Sequence, residues 1–456
     1  MKSGRIIYLV EGLSSLGRTR QGREVLYLSG AGLVFTIFGL RRKIPPRRLI
    51  QYDLRHEEIH HIARIRLPRY PFISPLRLHQ AWRKARQKPG YRKARANWWA
   101  VLSETPNFRQ FNLFAQAIFL AEAVPEDSLT IHADFMEGPG QLASYAALLT
   151  GLPWSFSAHT SDIWSLSDRE KSRMLHHASW GTASNQAIAD HLNTIATKAE
   201  ITAKPGAGAV ESGTQACPVT AIYHGVDLTA FPAPAEGDIA AGHGRRSRDG
   251  RDPHDPVVIL AAGRAIPRKG YGLLISALAS LPKSLNWRLV HIGGGPQQQR
   301  LIAQAKASGI NQRITWMGRQ PQDILLDQYR VADFLVAPSM ITPEGRFDGL
   351  PDTILEAQSQ ALPSIASNVG AIAEAIENGV TGVLFESGSR HKLVSALEAM
   401  IRDPSWRTGI GEAAARNIKE NFDREDQLER LAGLFRQPDE SPADEETTNE
   451  EPPGEG

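Results

Sequence analysis

The chain has 456 residues, of which 41% are hydrophobic and 22% are charged, and these proportions are ordinary for globular proteins. They exclude a wholly disordered or collagen-like protein, and the single cysteine, Cys217, excludes an intrachain disulfide scaffold. The net charge of +3 hides an asymmetry. Residues 1–100 hold 22 Lys and Arg against five Asp and Glu, whereas residues 437–456 hold eight acidic residues and no basic one.

The N-terminal part begins with the apolar run RIIYLV at residues 5–10, which predicts a buried strand. The longest uncharged apolar stretch, residues 25–40, has 16 residues. A membrane-spanning helix needs about 20, so this stretch predicts a buried strand followed by a turn. The first residues contain no long apolar core, and no secretory signal is expected. The runs LTIHAD, PWSFSAH and ASWGTAS predict three further strands.

Residues 74–99 form a basic segment in which Lys and Arg alternate with Trp82, Tyr91, Trp98 and Trp99. Basic side chains are attracted to anionic lipid, and aromatic rings favour the headgroup level. The segment therefore predicts an anionic membrane surface as a partner. A solvated helix face or loop is the alternative, non-specific contact with nucleic acid is a weaker one, and no specific nucleic acid is expected.

The C-terminal part alternates short apolar runs with helical patterns after residues 233–256, which are rich in Gly, Pro, Ala and charge and predict a flexible linker or inserted loop. Strands are predicted for VVILAAG, WRLVHIGGG, RITWMG, DFLVAPS, PSIAS and GVLF. The alternation is typical of parallel, doubly wound sheets. We therefore expect an α/β fold of two Rossmann-like domains with ligands bound in the cleft between them. The acidic, Pro-rich tail 437–456 is predicted to be disordered.

A basic loop, AAGRAIPRKG at residues 261–270, follows a predicted strand and precedes a predicted helix. Anions bind at such positions. Gly263 permits a tight turn, and Arg264 and Lys269 are placed to converge on one diphosphate. The alternative is a solvated basic loop.

An acidic turn follows at residues 337–363. Asp348 and Glu356 are separated by seven residues, and Gly349, Leu350 and a proline between them lead into a helix. Backbone N–H groups at a helix N-terminus can hold a phosphate or sugar hydroxyl. A second register, Glu344 with Asp352, has the same spacing. We prefer the first because Asp348 adjoins the Gly-Leu-Pro turn, although most such acid pairs are surface charges.

His159 ends a predicted strand that faces the cleft, in the sequence AHTSD. A lone histidine there is more often structural, but this placement favours a functional role. His132 also ends a strand and is expected to be structural. The remaining histidines lack metal-ligand spacing, so no protein-bound metal is expected.

These segments, in this order, resemble the donor-binding half of family 4 retaining glycosyltransferases of the GT-B fold. The runs HIGGGP, WMGRQP, QYRVADFLVAPS and AIAEAIENGVTGVLF are similar to the same family, as are IYHGVDLTAF and TASNQAIADHL nearer the N-terminus. The resemblance covers about residues 125–430. The DGLPDTILEA and SAHTSDIW segments look closest to exopolysaccharide transferases of the colanic-acid and amylovoran type.

The resemblance implies roles on the donor side. Arg264 and Lys269 would hold the nucleotide diphosphate. Asp348 would contact the donor sugar, with a shorter arm than the glutamate more usual there, and the N–H groups of Gly349 and Leu350 would face the sugar or the distal phosphate.

The same resemblance implies that Glu356 binds the ribose, and that the base lies near Arg319 and Gln320. His159 would sit near the transferred sugar, with Asp162 behind it. The loop EGLSSLGRTR at residues 11–20 is compatible with a family loop that touches the donor phosphate, but residues 41–100 match little of the family pattern, so the resemblance identifies no acceptor.

The expected domains are an acceptor-side domain at 1–232, a linker at 233–256, a donor-binding domain at 257–410 and a helix at 411–436 that packs back on the first domain. The expected activity is transfer of a sugar from a nucleotide diphosphate sugar, without a cofactor, to a lipid-linked glycan on the cytoplasmic face of the membrane. A nucleotide-sugar epimerase or hydrolase of the same fold, or a non-catalytic scaffold, is the alternative. A dinucleotide oxidoreductase is disfavoured because EGLSSLG does not fit Gly-x-Gly-x-x-Gly.

Overall fold

The computed structural model describes residues 4–12, 20–41, 62–68, 75–104, 106–202, 217–234, 247–343 and 347–436. Within these ranges, the side chains of residues 20, 41, 161, 162 and 199–202 are not described. The loop at 13–19, Glu344 of the second acidic register and the tail 437–456 lie outside the described residues, and the predictions made for them stay predictions.

The first domain is built on a seven-stranded sheet in the order β3-β2-β1-β4-β5-β6-β7, and all of its neighbouring strands are parallel. Its strands are β1 (Arg5–Gly12), β2 (Val34–Arg41), β3 (Ala63–Arg66), β4 (Ser128–Asp134), β5 (Trp154–Ala158), β6 (Trp180–Ala183) and β7 (Val219–Ala221).

The second domain repeats the plan with six parallel strands in the order β10-β9-β8-β11-β12-β13. Its strands are β8 (Val257–Ala262), β9 (Trp287–Ile292), β10 (Ile314–Gly318), β11 (Phe334–Ala337), β12 (Ser364–Ser367) and β13 (Val383–Phe385). Each sheet reverses its winding beside its first strand, and such a switch point opens a crevice at the carboxyl ends of the strands.

Helices cover both faces of each sheet. In the first domain they are α1 (Arg20–Gly30), α2 (Pro75–Ala85), α3 (Tyr91–Glu104), α4 (Phe108–Ala123), α5 (Gln141–Thr150), α6 (Thr160–Ile163), α7 (Asp168–Leu175) and α8 (Gln186–Thr202). In the rest of the chain they are α9 (Tyr271–Ala279), α10 (Gln298–Ala307), α11 (Gln322–Val331), α12 (Asp352–Ser359), α13 (Ile372–Ala375), α14 (Arg390–Arg402), α15 (Pro404–Asn421) and α16 (Arg424–Arg436).

The core of the first domain follows from the alternation of side chains along β1. Ile7 and Leu9 point to the side covered by α2–α5, whereas Tyr8 packs on the side that holds Leu431 and Ala432 of α16. The last helix of the described chain therefore packs on the first sheet, so the second domain is joined to the first at both of its ends.

One predicted element differs in the structure. Residues 25–40 form the end of α1, a turn and β2, rather than a strand followed by a turn. Val25 and Leu28, three positions apart, are fully buried on one face of the helix. Gly32, with φ of 89°, ends the turn in a conformation that favours glycine. The sequence shows one continuous apolar run because no charged residue separates the end of α1 from β2.

Residues 247–256, the last part of the predicted linker, pack on the second domain. Arg248 pairs with Asp255 at 2.5 Å and with the fully buried Asp333 at 3.0 Å. The guanidinium of Arg407, which is also fully buried, donates to the carbonyl of Arg248 at 2.5 Å. No helix among the described residues is long and apolar enough to cross a membrane.

Candidate functional site

A cavity of about 790 Å³ opens between the two domains, beyond the carboxyl ends of strands from both sheets. From the first domain and the segment after β7, it is lined by His159, Thr160, Trp164, Ser165, Ser184, Tyr223 and His224. From the second domain it is lined by Arg268, Lys269, residues 347–353 and Leu355. This is the position at which doubly wound domains bind ligands.

Asp348 lies at the centre of a charged cluster in this cavity. Its Oδ2 is 3.0 Å from Nζ of Lys269, and its Oδ1 accepts a hydrogen bond from Nε of Arg268 at 2.7 Å. The hydroxyl of Ser339 donates to Oδ2 at 2.9 Å. Burial alone would raise the pKa of Asp348, but Lys269, Arg268 and Ser339 together hold that pKa below its ordinary value. Asp348 is therefore ionised at neutral pH.

The basic loop is shaped by one glycine and a short helical turn. Gly263 has φ of 143°, and a Cβ there would approach the Tyr271 hydroxyl to 2.7 Å, so the position requires glycine. A 3₁₀ turn at Pro267–Lys269 then precedes α9. This turn presents two adjacent basic side chains, Arg268 and Lys269, to the cavity.

The acidic turn contacts the first domain. A Cβ on Gly349 would approach Oγ1 of Thr160 to 2.6 Å, so a larger residue would push the two domains apart. Gly349 and Leu350 line the cavity, and α12 begins two residues later at Asp352. The first N–H groups of a helix have no partner within it, so this end of α12 offers hydrogen-bond donors toward the cavity.

Glu356 lies on α12 outside the cavity lining, and its Oε2 accepts a hydrogen bond from the Tyr329 hydroxyl at 2.9 Å. Burial raises the pKa of Glu356 to about 7, and the nearby Asp352 adds to the rise, whereas the Tyr329 hydrogen bond opposes it. A half-buried carboxyl with a raised pKa is typical of a binding or catalytic position.

His159 reaches the cavity from the end of β5. Its Nε2 is 2.9 Å from Oδ1 of Asp134, and its ring packs against Phe135. Phe135 has φ of 96°, a strained backbone for a residue with a side chain. His132, by contrast, is fully buried between Ser155 and Ser157. Burial, aided by His159, lowers its pKa to about 3, so it is a neutral core residue, which agrees with the structural role expected of it.

The two domains also contact each other through Glu374, beside the cavity. Glu374 of α13 accepts hydrogen bonds from the backbone N–H groups of Gln186 and Ala187, at 2.8 and 3.0 Å, where α8 of the first domain begins. The Tyr223 hydroxyl donates to the same carboxylate at 2.7 Å. A carboxylate at a helix N-terminus is stabilising, so Glu374 ties the second domain to the first.

Comparison with known proteins bears on the second domain most directly. Residues 245–417 match the family model described as glycosyl transferases group 1. This part of the second domain is therefore similar to group 1 glycosyl transferases. The chain is 31% identical over 227 residues to a D-inositol 3-phosphate glycosyltransferase of Rhodococcus jostii, and those residues are 48% of this chain and 47% of the relative.

A second relative gives the same picture. The chain is 32% identical over 226 residues to the lipopolysaccharide core biosynthesis mannosyltransferase LpcC of Rhizobium leguminosarum, covering 48% of this chain and 59% of that protein. The chain thus spans about half the length of the curated relatives it matches.

Solved structures extend the likeness to both domains. The Anabaena protein HepE, in complex with UDP and glucose, superimposes with a TM-score of 0.60 at 16% identity, covering 95% of this chain and 99% of that chain. A glycosyltransferase from Rickettsia africae superimposes with a TM-score of 0.64 at 16% identity, covering 95% of this chain and 98% of that chain. The two parallel-sheet domains therefore have the GT-B architecture expected from the sequence.

The structure brings together some of the predicted site residues and leaves others apart. His159, Lys269, Asp348, Gly349 and Leu350 line the cavity. Five others lie outside the lining in the described part of the chain: Gly263, Arg264, Arg319, Gln320 and Glu356. Arg264 is exposed, and Gln320 donates to the Met317 carbonyl at 2.6 Å. The Asp162 side chain lies outside the described residues, and its predicted role stays a prediction.

Arg268, Trp164, Tyr223 and His224 are among the lining residues that the sequence prediction missed. Arg268 stands inside the basic loop, one residue before Lys269, and it bonds Asp348, whereas Arg264, the arginine chosen from the sequence, is exposed. Tyr223 and His224 follow β7 directly, and residues just after parallel strands are the signal that could have found them. Across the described part of the chain, no group of three or more His, Cys, Asp and Glu side chains could hold a metal ion.

Proposed function

We propose that the protein is a glycosyltransferase that moves a sugar from a nucleotide diphosphate sugar to an acceptor hydroxyl. The observation that carries the proposal is the charged cluster of Lys269, Arg268 and Asp348 in a cavity whose opposite wall holds His159. Two cations beside hydrogen-bond donors suit a diphosphate, and a buried carboxylate next to them suits sugar hydroxyls. The match of residues 245–417 to group 1 glycosyl transferases and the UDP found in HepE support the same donor class.

On the donor side, the diphosphate would replace Asp348 as the partner of Lys269 and Arg268, with Arg264 adding charge from the rim. The freed Asp348 would then accept hydrogen bonds from the donor sugar. The N–H groups of Gly349 and Leu350 face the distal phosphate, Glu356 binds the ribose, and the base lies near Arg319 and Gln320.

We propose further that the enzyme belongs to the retaining family 4 and reacts on one face of the sugar. The bond from the anomeric carbon to the phosphate oxygen breaks, the bond to the acceptor oxygen forms on the same face, and the acceptor proton passes to the leaving phosphate. Lys269 and Arg268 stabilise the charge that develops on that phosphate. His159, oriented by Asp134, would bond the transferred sugar, with Asp162 close behind.

We propose that the acceptor is a lipid-linked glycan, as in exopolysaccharide assembly of the colanic-acid type. The enzyme would bind it at the cytoplasmic face of an anionic membrane. Support comes from exposed apolar side chains on α2, α3 and α4, namely Leu76, Trp99, Phe108 and Phe111. Exposed Arg77, Arg83, Arg92 and Arg95 lie on the same helices. Tyr91 and Trp98 are not part of this surface, because they are buried in the core and Trp98 stacks on Phe114.

The transfer reaction is tested with radiolabelled nucleotide sugars, with and without membrane extract as the source of acceptor. We expect label to enter a lipid-extractable product with the wild-type chain and Lys269→Ala to lower this rate about 100-fold or more, because an electrostatic group at the leaving phosphate is lost. Lys283→Ala, which removes an exposed lysine of the same domain outside the cavity, serves as the matched control. Rapid donor consumption without acceptor would instead indicate a hydrolase or epimerase, and full activity of Lys269→Ala would refute the site.

A further inference from the structure

Trp164 is an exposed tryptophan in the wall of the cavity. Its exposed fraction is 53%, although most of its ring would be buried if it served only the core. The ring lies with its centroid 4.8 Å from that of His191, and Nζ of Lys171 is 5.7 Å from the Trp164 centroid. An ammonium at this distance attracts the aromatic ring.

The groups that hold Trp164 are themselves fixed. Lys171 is 2% exposed, and its Nζ is 2.7 Å from Oδ1 of Asp168 and 2.9 Å from Nε2 of His191. Ordering a lysine side chain costs conformational entropy, so a buried lysine with two polar partners gives Trp164 a defined support. The indole is therefore preorganised while about half of its surface stays open to the cavity.

The second domain brings another aromatic ring to the same wall. Phe347 lies with its centroid 6.3 Å from that of Trp164, and it immediately precedes Asp348. Polar groups adjoin this pair. The Ser165 hydroxyl lines the cavity and donates to Oε2 of Glu137 at 2.6 Å, and Arg109 forms an ion pair with the same carboxylate.

This combination fits one class of ligand. A pyranose ring has a face of C–H groups, which packs on an aromatic ring, and a rim of hydroxyls, which bond to serine and carboxylate oxygens. We propose that Trp164, with Phe347, forms a subsite that binds the acceptor as a sugar ring stacked on the indole, with Ser165 and Glu137 facing its hydroxyls. The inference rests on the proposed function and adds the residues that hold a sugar ring of the acceptor.

The assignment to the acceptor follows from position. The cations that would hold the donor diphosphate, Arg268 and Lys269, belong to the second domain, whereas Trp164 and Ser165 belong to the first. The Trp164 side of the cavity also lacks a lysine or arginine among its described lining residues. A neutral sugar fits such a wall better than a phosphate does.

The subsite is tested by saturation-transfer NMR on the full chain saturated with UDP or GDP. The probes are the methyl α- and β-glycosides of glucose, galactose, mannose and N-acetylglucosamine. We expect at least one glycoside to receive saturation on its C–H protons and Trp164→Ala to weaken its binding about tenfold. Trp164→Phe should keep most of the affinity because the ring is retained, and the nucleotide Kd should change less than twofold.

The matched control is Val380→Ala, which removes an exposed apolar side chain outside the cavity, in the loop before β13. Glycoside binding unchanged by Trp164→Ala, or no glycoside binding to the nucleotide-saturated chain, would overturn the subsite and leave the proposed function standing. Weakened nucleotide binding in Trp164→Phe would place the indole on the donor side and likewise overturn it. Failure of the wild-type chain to bind any nucleotide would count against the proposed function itself.

Discussion

Asp348 pairs with two cations in the cavity. Its carboxylate bonds Arg268 and Lys269 at 2.7 and 3.0 Å, so a diphosphate that enters must compete with it for both groups. In the proposed function, the same carboxylate would accept hydrogen bonds from the donor sugar. Asp348 would therefore oppose binding of the diphosphate and assist transfer of the sugar.

The substitution Asp348→Asn separates these demands. We expect UDP or GDP to bind several-fold more tightly, because both cations lose their internal partner, while transfer falls about 100-fold for lack of a sugar contact. Calorimetry gives the nucleotide Kd, and the radiolabel assay gives the rate. The control is Asp426→Asn, an exposed acid on α16. Weaker nucleotide binding in Asp348→Asn would contradict the competition.

Glu356 makes stability depend on pH. Its folded pKa of about 7 lies above the ordinary 4.5, so the folded state binds more protons than the unfolded state between these values. Its contribution is therefore most favourable below about pH 4.5 and is lost as the pH rises through 7.

Replacement of Glu356 by Gln should follow this sign. We expect Glu356→Gln to raise the free energy of unfolding by about 2 kcal/mol at pH 8 and by little at pH 4.5, because the amide oxygen can still accept from Tyr329. Urea titrations at both pH values measure the effect. Equal stabilisation at the two values would contradict the raised pKa, and an unchanged nucleotide Kd in Glu356→Gln would argue against ribose binding.

At the scale of elements, Arg407 ties α14 and α15 to the start of the second sheet. Its guanidinium is fully buried and donates to the carbonyls of Met400 and Ile401 at 2.6 and 3.1 Å, besides that of Arg248, and it lies 3.6 Å from Asp333. Removal of one partner of a buried ion pair costs about 3–5 kcal/mol. Asp333 would keep its pair with Arg248 at 3.0 Å, but the carbonyls of Met400, Ile401 and Arg248 would lose a donor.

Arg407→Ala is therefore expected to destabilise the second domain by about this amount. The change is measured as a lower urea midpoint, and addition of a nucleotide should recover part of the loss by mass action. Arg402→Ala, at an exposed position of α14, is the control and should change stability by less than about 0.5 kcal/mol. Equal effects of the two substitutions would show that the buried network contributes little.

Element types in the second domain were predictable because Gly and Pro punctuate its apolar runs. VVILAAG and DFLVAPS appear as β8 and β11, close to their predicted bounds. The prediction for residues 25–40 was wrong because the end of α1 and the strand β2 are both apolar there. Spacing likewise could not show that the 3₁₀ turn directs Arg268, rather than Arg264, to Asp348, since that depends on how the loop folds.

Aromatic residues show the same limit. The sequence alone does not distinguish Trp98, Trp99 and Trp164. In the structure, Trp98 is buried against Phe114, Trp99 is exposed, and Trp164 lines the cavity. These outcomes depend on tertiary packing between distant elements. Local sequence patterns cannot predict contacts between the domains, such as that of Gly349 with Thr160, for the same reason.

At the scale of the whole molecule, Glu374 links the two domains beside the cavity. Its carboxylate accepts from the first N–H groups of α8 and from Tyr223. Closure of two domains over a donor excludes water and favours transfer over hydrolysis.

Glu374→Ala should weaken this closure. We expect the ratio of donor hydrolysis to transfer to rise about tenfold, because water enters a less tightly closed cavity. The radius of gyration in small-angle scattering should also increase slightly. Glu377→Ala, an exposed neighbour in the loop after α13, is the control. An unchanged hydrolysis ratio in Glu374→Ala would remove Glu374 from any part in closure.

The proposed function depends on the cavity being a nucleotide diphosphate site. Isothermal titration of the full-length chain with UDP, GDP and ADP, repeated on Lys269→Ala, tests this most directly. We predict saturable one-to-one binding of at least one diphosphate, weakened about tenfold or more in the variant because a charge-assisted contact is lost. Absence of binding for all three, or equal affinity in the variant, would contradict the account.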